Sequence, residues 1–269
     1  MKNLEMYCLG LFDQDLEKIK SLNYIPVGLG KETFRAEWLS DSSGISISHK
    51  NSSYGEYTFH YWLWKNKLQK LNNDNWIGFC AYRRFWAQKI DCKELKKKED
   101  FLNTIPDEWE NYTTILGQDI NMDGWSFMKI LKHGLRSFVL NPKYILKKNR
   151  NLKLHFDSFH GYGNLDKAIS LLDYKEQNDF KKFMLENNNY NRGNMFITKS
   201  KKIMNDYYES IFPWLERCEK IFKFKKKKYG TNRIYAFLAE RYLSYWFKKY
   251  TNYKIWPIVF YDINKNDLK

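Results

Sequence analysis

The chain begins with an apolar run, a polar stretch of helical type and a second apolar run. Residues 4–12 (LEMYCLGLF) have the composition of a buried strand, and residues 13–22 (DQDLEKIKSL) carry early carboxylates that suit a helix dipole. Residues 24–30 (YIPVGLG) form a second strand-like run that ends in glycines. The pattern predicts a β-α-β beginning. The turn from Gly28 to Lys31 is compatible with backbone amides near a phosphate, but an ordinary turn is the simpler interpretation.

A Ser-rich polar loop follows and leads into a helix that begins near Ser52 or Ser53, both favourable N-cap residues. Apolar side chains repeat along this helix at the spacing of one face. That stripe consists of Tyr57, Tyr61, Trp64, Leu68 and Leu71. A neighbouring stripe consists of Glu56, His60, Leu63 and Lys67. This second stripe, which lies near Lys50 and Asn51, is either part of a ligand site or a solvated helix face.

An apolar run of strand type, residues 77–82, ends at two adjacent arginines, Arg83 and Arg84. Such a run is typical of a parallel strand buried on both faces, and ligands of open α/β sheets gather beyond the carboxyl ends of such strands. Guanidinium groups match phosphate oxygens in a bidentate way. We therefore expect the arginine pair to bind a diphosphate. The alternative is that one arginine forms an internal salt bridge and the other lies in solvent.

Another strand is predicted within residues 112–125 (YTTILGQDINMDGW), and it ends in Asp119, Asn121 and Asp123. Alternating oxygen ligands suit a hard cation such as Mg²⁺. The same spacing is common in ordinary turns, which are the alternative.

Residues 125–153 form a basic segment rich in aromatic and aliphatic side chains, in which every formal charge from Lys129 to Lys153 is positive. This composition is more typical of a surface that faces a membrane or an acceptor than of a core. A solvent-exposed helical hairpin is the alternative.

Histidines and carboxylates concentrate in residues 155–166 (HFDSFHGYGNLD), which we predict to be a loop. His155, Asp157, His160 and Asp166 are compatible with acid/base groups, metal ligands or partners of sugar hydroxyls. Their spacing matches no standard metal motif, which disfavours a dedicated metal site.

The remaining periodic segments predict a strand at residues 195–198, a long helix within residues 229–250 and a closing strand at residues 253–262. In the helix, Glu240 falls on an apolar stripe, so we expect it to be partly buried. Burial raises the pKa of a carboxyl group unless a cation compensates, and Arg233 or Arg241 is placed to do so. A structural ion pair is the expected role of Glu240.

Composition narrows the class of partner. Of 269 residues, 18% are aromatic, and Lys plus Arg (46) exceed Asp plus Glu (31) by 15. A basic chain prefers anionic partners, here nucleic acid, an anionic bilayer or a phosphorylated small molecule. The four cysteines have no paired spacing, so we expect buried, reduced thiols rather than disulfides or a zinc site. No segment has signal-peptide or membrane-span character, so we expect a cytoplasmic protein that can lie on a membrane.

Seven segments, taken in order, resemble a bacterial family of capsular and exopolysaccharide biosynthesis glycosyltransferases long filed as a domain of unknown function. The segments are IPVGLG, DSSGISISHKNSSYGEYTFHYWLWKN, IGFCAYRRFW, FHGYGNLD, GNMFITK, PWLERCE and FLAERYLSYWF. No single motif is specific, but the ordered set spans nearly the whole chain and carries the resemblance.

The matches to the family pattern also show departures. The loop motif is carried by Asp41, Gly44, Lys50 and Asn51, with Ser46 where asparagine usually stands. The helix motif is matched by Glu56, Thr58, Tyr61, Trp62, Trp64, Lys65 and Asn66. The strand-end motif becomes AYRRFW, without its usual histidine. Later matches are His160, Tyr162, Asp166 and Asn194 to Phe196. Glu240 and Leu243 match the last motif approximately. The basic insertion is longer than in relatives, so the resemblance does not identify the acceptor.

The resemblance implies an α/β fold: a single GT-A-like domain with a mixed β-sheet flanked by helices and a basic insertion. Its implied parts are a nucleotide-sugar-binding half (residues 1–124), the membrane- or acceptor-facing insertion (125–153) and an acceptor and catalytic half (154–269). The implied reaction moves a sugar from a UDP-linked nucleotide sugar, with UDP-galactofuranose as a candidate donor, to a growing capsular or lipopolysaccharide glycan or a lipid-linked glycan. The implied location is peripheral, at the anionic inner face of the cytoplasmic membrane, with no nucleic-acid partner.

The resemblance also implies roles for individual residues. The donor-binding residues would be Lys50, Asn51, Glu56, Trp64, Lys65, Asn66, Tyr82, Arg83 and Arg84. The catalytic candidates are Asp157, His160, Asp166 and Glu240. GT-A enzymes commonly hold the diphosphate through Asp-x-Asp and a divalent cation, whereas here arginines stand at the matching strand end and would supply some or all of that charge. Asp119 and Asp123 keep a Mg²⁺ or Mn²⁺ site open. The alternative function is a non-catalytic, basic membrane-surface or nucleic-acid-binding protein.

Overall fold

A computed structural model describes residues 3–30, 33–73, 75–121, 127–222 and 229–265. The chain divides into two compact units. The sheet unit contains Met1–Gln118, Gly193–Glu209 and Phe247–Lys269, and the helical unit contains Asp119–Arg192 and Ser210–Trp246. Each unit therefore gathers segments that are distant in the sequence.

The strands are numbered in chain order. They are β1 (Leu4–Gly10), β2 (Ile25–Gly28), β3 (Leu39–Ser40), β4 (Trp76–Ala81), β5 (Arg84–Trp86), β6 (Thr114–Gly117), β7 (Asp119–Asn121), β8 (Asn189–Asn191), β9 (Phe196–Thr198), β10 (Tyr253–Trp256) and β11 (Ile258–Phe260). The main sheet, which belongs to the sheet unit, has the order β10-β6-β9-β4-β1-β2-β3. The strands β7 and β8 form a separate antiparallel pair in the helical unit.

The main sheet is mixed, as the family resemblance implies. β3, β2, β1 and β4 are parallel neighbours, and β6 is parallel to β10. β9 is antiparallel to both of its neighbours, β4 and β6. β5 folds back on β4 and pairs with β11. Because β1, β2 and β4 run in the same direction, their carboxyl ends meet at one edge of the sheet.

Burial on both faces explains the continuous apolar runs of β1 and β4. These strands are in register at Cys8 and Cys80, whose thiols are free and buried, as is Cys218, while Cys92 is half-buried. The predicted closing strand is divided at Pro257 into β10 and β11, since proline has no amide hydrogen to continue a ladder.

The helices are likewise numbered in chain order. They are α1 (Leu16–Ser21), α2 (Asn51–Tyr54), α3 (Tyr57–Asn66), α4 (Phe127–Leu140), α5 (Leu152–His160), α6 (Asn164–Ile169), α7 (Tyr174–Glu186), α8 (Lys201–Phe222), α9 (Tyr229–Asn232) and α10 (Ile234–Tyr250). Within the described ranges, none of them combines the length and the apolar character that crossing a membrane requires.

The helical unit has an aromatic core. Phe180 of α7 packs edge-on against Trp214 of α8 and Tyr242 of α10. The indole Nε1 of Trp214 donates a hydrogen bond to the carbonyl of Ala168 at 2.7 Å, so a buried polar group is satisfied at the centre of this packing. The long helices α8 and α10 each contribute residues to both units.

Two expectations from the sequence are wrong in detail. Residues 155–166 are not one loop: residues 155–160 belong to α5 and residues 164–166 to α6, with a turn at residues 161–163 between them. The Asn151 side chain caps α5, and Gly161, at φ +97°, ends it. The helix expected from Ser52 is broken at Gly55 into α2 and α3. In α3 the deeply buried face includes His60 and Leu63, which belong to the stripe described above as either ligand site or solvated face.

Candidate functional site

A cavity of about 400 Å³ opens at the carboxyl ends of β1 and β2 in the sheet unit. Its lining residues come from the two strand ends and from the turn that leads into α2. They are Leu11, Leu29, Gly30, Ser48, His49, Asn51 and Ser52. The volume lies within the range of small-molecule sites, and the lining combines apolar walls with a few polar groups.

Two residues shape this cavity, Gly30 and Asn51, and each belongs to a segment that resembles the family. Gly30 has φ +79°, and a Cβ added there would lie 3.4 Å from Oδ1 of Asn51. The Asn51 amide is itself fixed, because its Nδ2 donates to the Gly55 carbonyl and to the Thr58 hydroxyl, both at 3.1 Å. The wall is therefore held in place before any ligand arrives.

Asp41 is buried behind the cavity wall. Its Oδ1 accepts a hydrogen bond from the Gly30 amide at 3.3 Å, so this amide is already engaged by the protein. Burial raises the pKa of the Asp41 carboxyl, and contacts with Thr58 and with backbone amides oppose that rise. Asp41 thus ties the end of β2 to the loop that precedes α2.

Side chains of α3 hold that loop in shape. The Asn66 amide accepts from the Ile45 amide and donates to the Ile45 carbonyl, at 3.0 and 2.9 Å. Nε1 of Trp62 donates to the Ser43 carbonyl at 2.7 Å. Gly44 has φ +59° and allows the close approach of Asn66. Asn66, predicted to bind the donor, therefore acts on the loop that bears the cavity residues.

The arginine pair lies where the sequence predicts, at the carboxyl end of β4. Tyr82 and Arg83 form the turn between β4 and β5, and Arg84 begins β5 opposite Phe260. Nε of Arg83 lies 3.2 Å from Oδ2 of Asp262, and its guanidinium stacks over the Tyr82 ring with 4.9 Å to the ring centroid.

This ion pair matches the alternative in which one arginine bonds to the protein itself. The Arg83 side chain is nevertheless 45% exposed, so its guanidinium is accessible to a ligand. A role of Arg83 and Arg84 in donor binding stays a prediction.

The other predicted donor residues are spread along α2 and α3. Nε1 of Trp64 donates to Oδ1 of Asn205, and Nζ of Lys65 lies 3.2 Å from the centroid of the Trp64 ring. Lys50 lies over the Tyr54 ring, 5.7 Å from its centroid. Glu56 occupies the N-cap position of α3. Trp64 and Lys65 therefore contact each other, and neither is among the residues that line the cavity.

Two catalytic candidates share one lysine in the helical unit. Nζ of Lys153 lies 2.9 Å from Oδ2 of Asp157 and 2.6 Å from Oδ2 of Asp166. Asp157 is buried and also accepts from the Gly163 amide at 3.2 Å. Burial raises the pKa of Asp157, and Lys153 partly offsets that rise. Burial alone would lower the pKa of Lys153, but the two carboxylates raise it.

His160 is a poor match for a general base. It is buried and stacks on Phe237, with 4.1 Å between ring centroids. Burial, aided by the charge of Arg241, lowers the pKa of His160 to about 3. Its Nδ1 lies 3.0 Å from the Gly230 carbonyl, and because a carbonyl only accepts, Nδ1 carries the proton. The imidazole is therefore neutral at physiological pH and weakly basic.

Glu240 forms the ion pair that the sequence predicts. Nη1 of Arg241 lies 2.5 Å from Oε2 of Glu240, and the Arg241 side chain is only 1% exposed. The same guanidinium lies 3.6 Å from the centroid of the Tyr190 ring and donates from Nη2 to Nδ1 of His155 at 3.2 Å. Burial and the Arg241 charge lower the pKa of His155 well below its usual range. These contacts compensate a fully buried cation.

A metal site near Asp119 is only partly described. Oδ1 of Asp119 accepts a hydrogen bond from Nδ2 of Asn191 at 2.9 Å, and Asp123 lies outside the described residues. Across the described ranges, no group of three or more His, Cys, Asp and Glu side chains is placed to hold a metal ion. Asp119 alone does not make a ligand set, so the metal site stays a prediction.

Most residues that line the cavity are not predictable from the sequence. Leu11, Ser48, His49 and Ser52 stand in or beside segments that the sequence analysis names, but none was selected. Their one shared signal is position: Leu11 lies at the end of a predicted strand, and Ser48, His49 and Ser52 lie at or just before the start of a predicted helix. The predicted donor residues with described positions belong to the sheet unit, whereas the described acid/base candidates belong to the helical unit.

Comparisons with known proteins give a family and a fold. The family described as "Domain of unknown function (DUF4422)" matches residues 12–252. No curated protein sequence matches the chain. Among solved structures, the apo structure of WbbM, a bifunctional glycosyltransferase, superposes with a TM-score of 0.67 at 18% identity. The superposition covers 96% of this chain but 45% of WbbM, so the chain spans less than half of that protein. The GT-A-like fold class expected from the sequence is confirmed by this similarity.

Proposed function

The chain belongs to the DUF4422 family and shares its fold with a glycosyltransferase, and from this premise we propose that it transfers a sugar from a nucleotide-sugar donor. The observation that carries the proposal is the cavity at the carboxyl ends of β1 and β2. Open α/β sheets bind their ligands at that edge. The donor we propose is a UDP-sugar, with UDP-galactofuranose as a candidate.

The cavity lining suits a nucleoside. Leu11 and Leu29 offer apolar contacts for a planar base, while Ser48, Asn51 and Ser52 offer hydroxyl and amide groups for ribose hydroxyls. Asn51 is held by Gly55 and Thr58, so the site is formed in advance. A preformed site loses less conformational freedom when it binds.

The diphosphate is assigned to the positive charge at the end of β4. β4 is parallel to β1, so Arg83 and the cavity belong to the same edge of the sheet. The Arg83 guanidinium is half-exposed, and its Nε pairs with Asp262. A diphosphate that binds Arg83 competes with Asp262 for this cation. Lys50 and Arg84 are further candidates for the same role.

In the proposed reaction the acceptor hydroxyl oxygen forms a bond to the anomeric carbon of the donor sugar. The bond from that carbon to the diphosphate oxygen breaks, and the diphosphate leaves with the electron pair. Cations at the leaving group stabilise the charge that develops there. In an inverting reaction, the hydroxyl proton passes to a general base.

Asp157 is the favoured base among the candidates. Burial raises its pKa toward the range in which a base is most effective. His160, with a pKa of about 3, is less basic. Glu240 compensates a fully buried arginine, whereas the lysine that pairs with Asp157 also pairs with Asp166 and is partly exposed. Asp166, which shares Lys153 with Asp157, is the second choice. The acceptor we propose is a growing capsular or lipopolysaccharide glycan, or a lipid-linked glycan.

A thermal-shift panel of nucleotides and nucleotide sugars, with and without Mn²⁺, tests this function. UDP and at least one UDP-sugar are expected to raise the Tm by several degrees near saturation, because a ligand that binds only the folded state adds roughly 2.7 kcal/mol at 100 times its Kd. The metal arm tests whether Mn²⁺ is needed. If every nucleotide leaves Tm unchanged while oligonucleotides bind with steep salt dependence, the protein is a nucleic-acid binder instead.

A further inference from the structure

The helical unit displays a cluster of exposed apolar side chains that its own core does not use. They lie on α4 and on the turns that follow it, and each is between 53% and 69% exposed. They are Met128, Leu135, Val139, Leu140, Ile145 and Leu146, and we call them the apolar face. Scattered exposed apolar residues are ordinary, but so many within one short segment are not.

The opposite face of α4 explains why the apolar face is exposed. Phe138 packs with Tyr144 and Leu154 in a small core of its own. At Gly134, where α4 kinks, a Cβ would lie 2.1 Å from the Ser158 hydroxyl of α5, so only glycine allows this approach. Because one side of α4 packs against α5, the other side is exposed. It carries positions 128, 135 and 139, which are spaced i, i+7 and i+11.

The turn after α4 is held in a shape that exposes two more apolar residues. Nδ2 of Asn149 donates to the Lys143 carbonyl at 2.7 Å. The Arg150 guanidinium donates to the carbonyls of Tyr144 and Ile145, both at 3.2 Å. Tyr144 is buried by this arrangement, whereas Ile145 and Leu146 are exposed at the outside of the turn.

The formal charges of the segment that carries the apolar face all have one sign. Exposed cations surround it on α4 and on the turns. They are Lys132, Arg136, Lys143, Lys147 and Lys148. From residue 124 to residue 156 the sequence contains no Asp or Glu. An apolar surface whose own segment carries cations and no carboxylates complements a surface that is apolar inside and anionic outside.

We propose that the apolar face and its surrounding cations bind the surface of an anionic lipid bilayer, with the apolar side chains inserted at the headgroup boundary. Helices that lie in a membrane interface combine an apolar face with Lys and Arg on the polar side. Anionic headgroups attract each nearby cation, and insertion of apolar side chains adds the hydrophobic part of the affinity. The proposed membrane binding does not rest on the proposed sugar transfer, because no residue of the apolar face lines the cavity at the carboxyl ends of β1 and β2.

Vesicle flotation tests the proposal with the chain of residues 1–269. We expect the protein to float with vesicles that contain about a third phosphatidylglycerol in phosphatidylcholine, and to float far less with phosphatidylcholine alone, since the cations need an anionic partner. The double variant Leu135→Glu/Val139→Glu should weaken binding by about tenfold or more, because it places two carboxylates at the interface. The double variant Lys147→Ala/Lys148→Ala should weaken binding to the anionic vesicles and reduce its salt dependence.

A matched control places the same charge on apolar residues of similar exposure elsewhere. Ile90 and Phe260 of the sheet unit are 52% and 63% exposed, so Ile90→Glu/Phe260→Glu should bind vesicles as the unaltered protein does. An unchanged Tm for both double variants excludes unfolding as the cause. The proposal is overturned if the unaltered protein floats with neither vesicle, or if the Leu135→Glu/Val139→Glu protein floats as well as the control.

Two further outcomes would assign the surface to another partner and also overturn the proposal. In the first, light scattering shows a dimer that the Leu135→Glu/Val139→Glu change converts to a monomer, without effect on flotation. In the second, the same variant and the lysine variant lose affinity for an oligonucleotide while vesicle binding is absent. UDP-induced stabilisation is measured on the same samples, so failure here is distinguishable from failure of the proposed donor binding.

Discussion

Arg83 and Asp262 form an ion pair at the carboxyl edge of the main sheet, with Nε of the arginine 3.2 Å from Oδ2 of the aspartate. The arginine is half-exposed and the aspartate is buried. The same carboxylate accepts from the Asn264 amide at 3.2 Å through Oδ1. The pair therefore anchors the arginine at the edge where we propose that a diphosphate binds.

Replacement of Asp262 by Asn should tighten UDP binding while it lowers the stability of the free protein. The diphosphate no longer competes with a carboxylate for Arg83, so the Kd for UDP should fall by a few-fold. Loss of a half-exposed pair should reduce the free energy of unfolding by up to about 1 kcal/mol. Calorimetric titration and urea unfolding measure both effects, and weaker UDP binding by this variant would count against competition at Arg83.

Gly30→Ala should weaken UDP binding, because it narrows the cavity next to Asn51. It should also cost about 1 kcal/mol of stability, since φ +79° strains any residue with a Cβ. Gly163→Ala is the matched control: Gly163 has φ +77°, but nothing lies within 4 Å of an added Cβ. The control should lose similar stability and keep its affinity for UDP. Equal affinities of the two variants for UDP would show that UDP does not bind in this cavity.

Glu240→Gln should destabilise the protein strongly, because it leaves the Arg241 cation buried without its carboxylate. Loss of one partner of a buried pair costs about 3–5 kcal/mol. The double variant Glu240→Gln/Arg241→Met should recover part of that loss, since no uncompensated charge is left. Urea unfolding of both variants measures this difference. If Glu240→Gln retains full stability but loses transferase activity, Glu240 is a catalytic group rather than an ion-pair partner.

Stability should rise with pH between about 3 and 6.5, and buried histidines should contribute to that slope. Burial lowers the pKa of both His60 and His160 to about 3, whereas an unfolded histidine titrates near 6.5. Between these values the unfolded state binds more protons, so acid favours unfolding. Their contribution is fully present above pH 6.5 and is lost as the pH falls toward 3. Asp157, whose pKa burial raises, acts in the opposite direction in the carboxyl range.

The urea midpoints of the His60→Phe and His49→Gln proteins at several pH values check this dependence. The Nδ1 of His60 lies 2.7 Å from the Tyr208 hydroxyl in the core, so its replacement lowers overall stability. The replacement should also flatten the dependence of unfolding free energy on pH between pH 5 and 6.5, by roughly the contribution of one histidine. His49 is exposed, and its replacement should leave the slope unchanged. Parallel slopes for all three proteins would show that His60 does not titrate on unfolding.

Much of the sheet is predictable from the sequence, for a physical reason. β1 and β4 are buried on both faces, so each reads as a continuous apolar run that stops where the strand stops. Arg83 follows directly from that pattern, because the end of such a run marks the edge where ligands bind. An ion pair of Glu240 is predictable as well, since a stripe position buries the carboxylate, although the sequence leaves its partner open between Arg233 and Arg241.

Other features depend on contacts that one sequence does not display. The cavity joins Leu11 and Leu29 to Ser48 and Ser52, and no local pattern shows that these segments meet. The polar residues of α5 predict a loop, although His155, Asp157 and His160 are all buried by other segments of the helical unit. His60 on α3 was ambiguous for the same reason, since tertiary packing decides which helix face is buried.

We propose that the edge of the sheet near Arg83 binds a nucleoside diphosphate, and a titration of the protein with UDP measures that binding. The Kd is compared among the unaltered protein, Arg83→Ala and Arg217→Ala, since Arg217 also pairs with an aspartate, Asp173, at 2.9 Å and is 38% exposed. We expect Arg83→Ala to weaken UDP binding by roughly tenfold or more, because a charged hydrogen bond is lost, and Arg217→Ala to bind UDP as the unaltered protein does. Equal affinity of all three proteins for UDP, or no UDP binding by the unaltered protein, would contradict it.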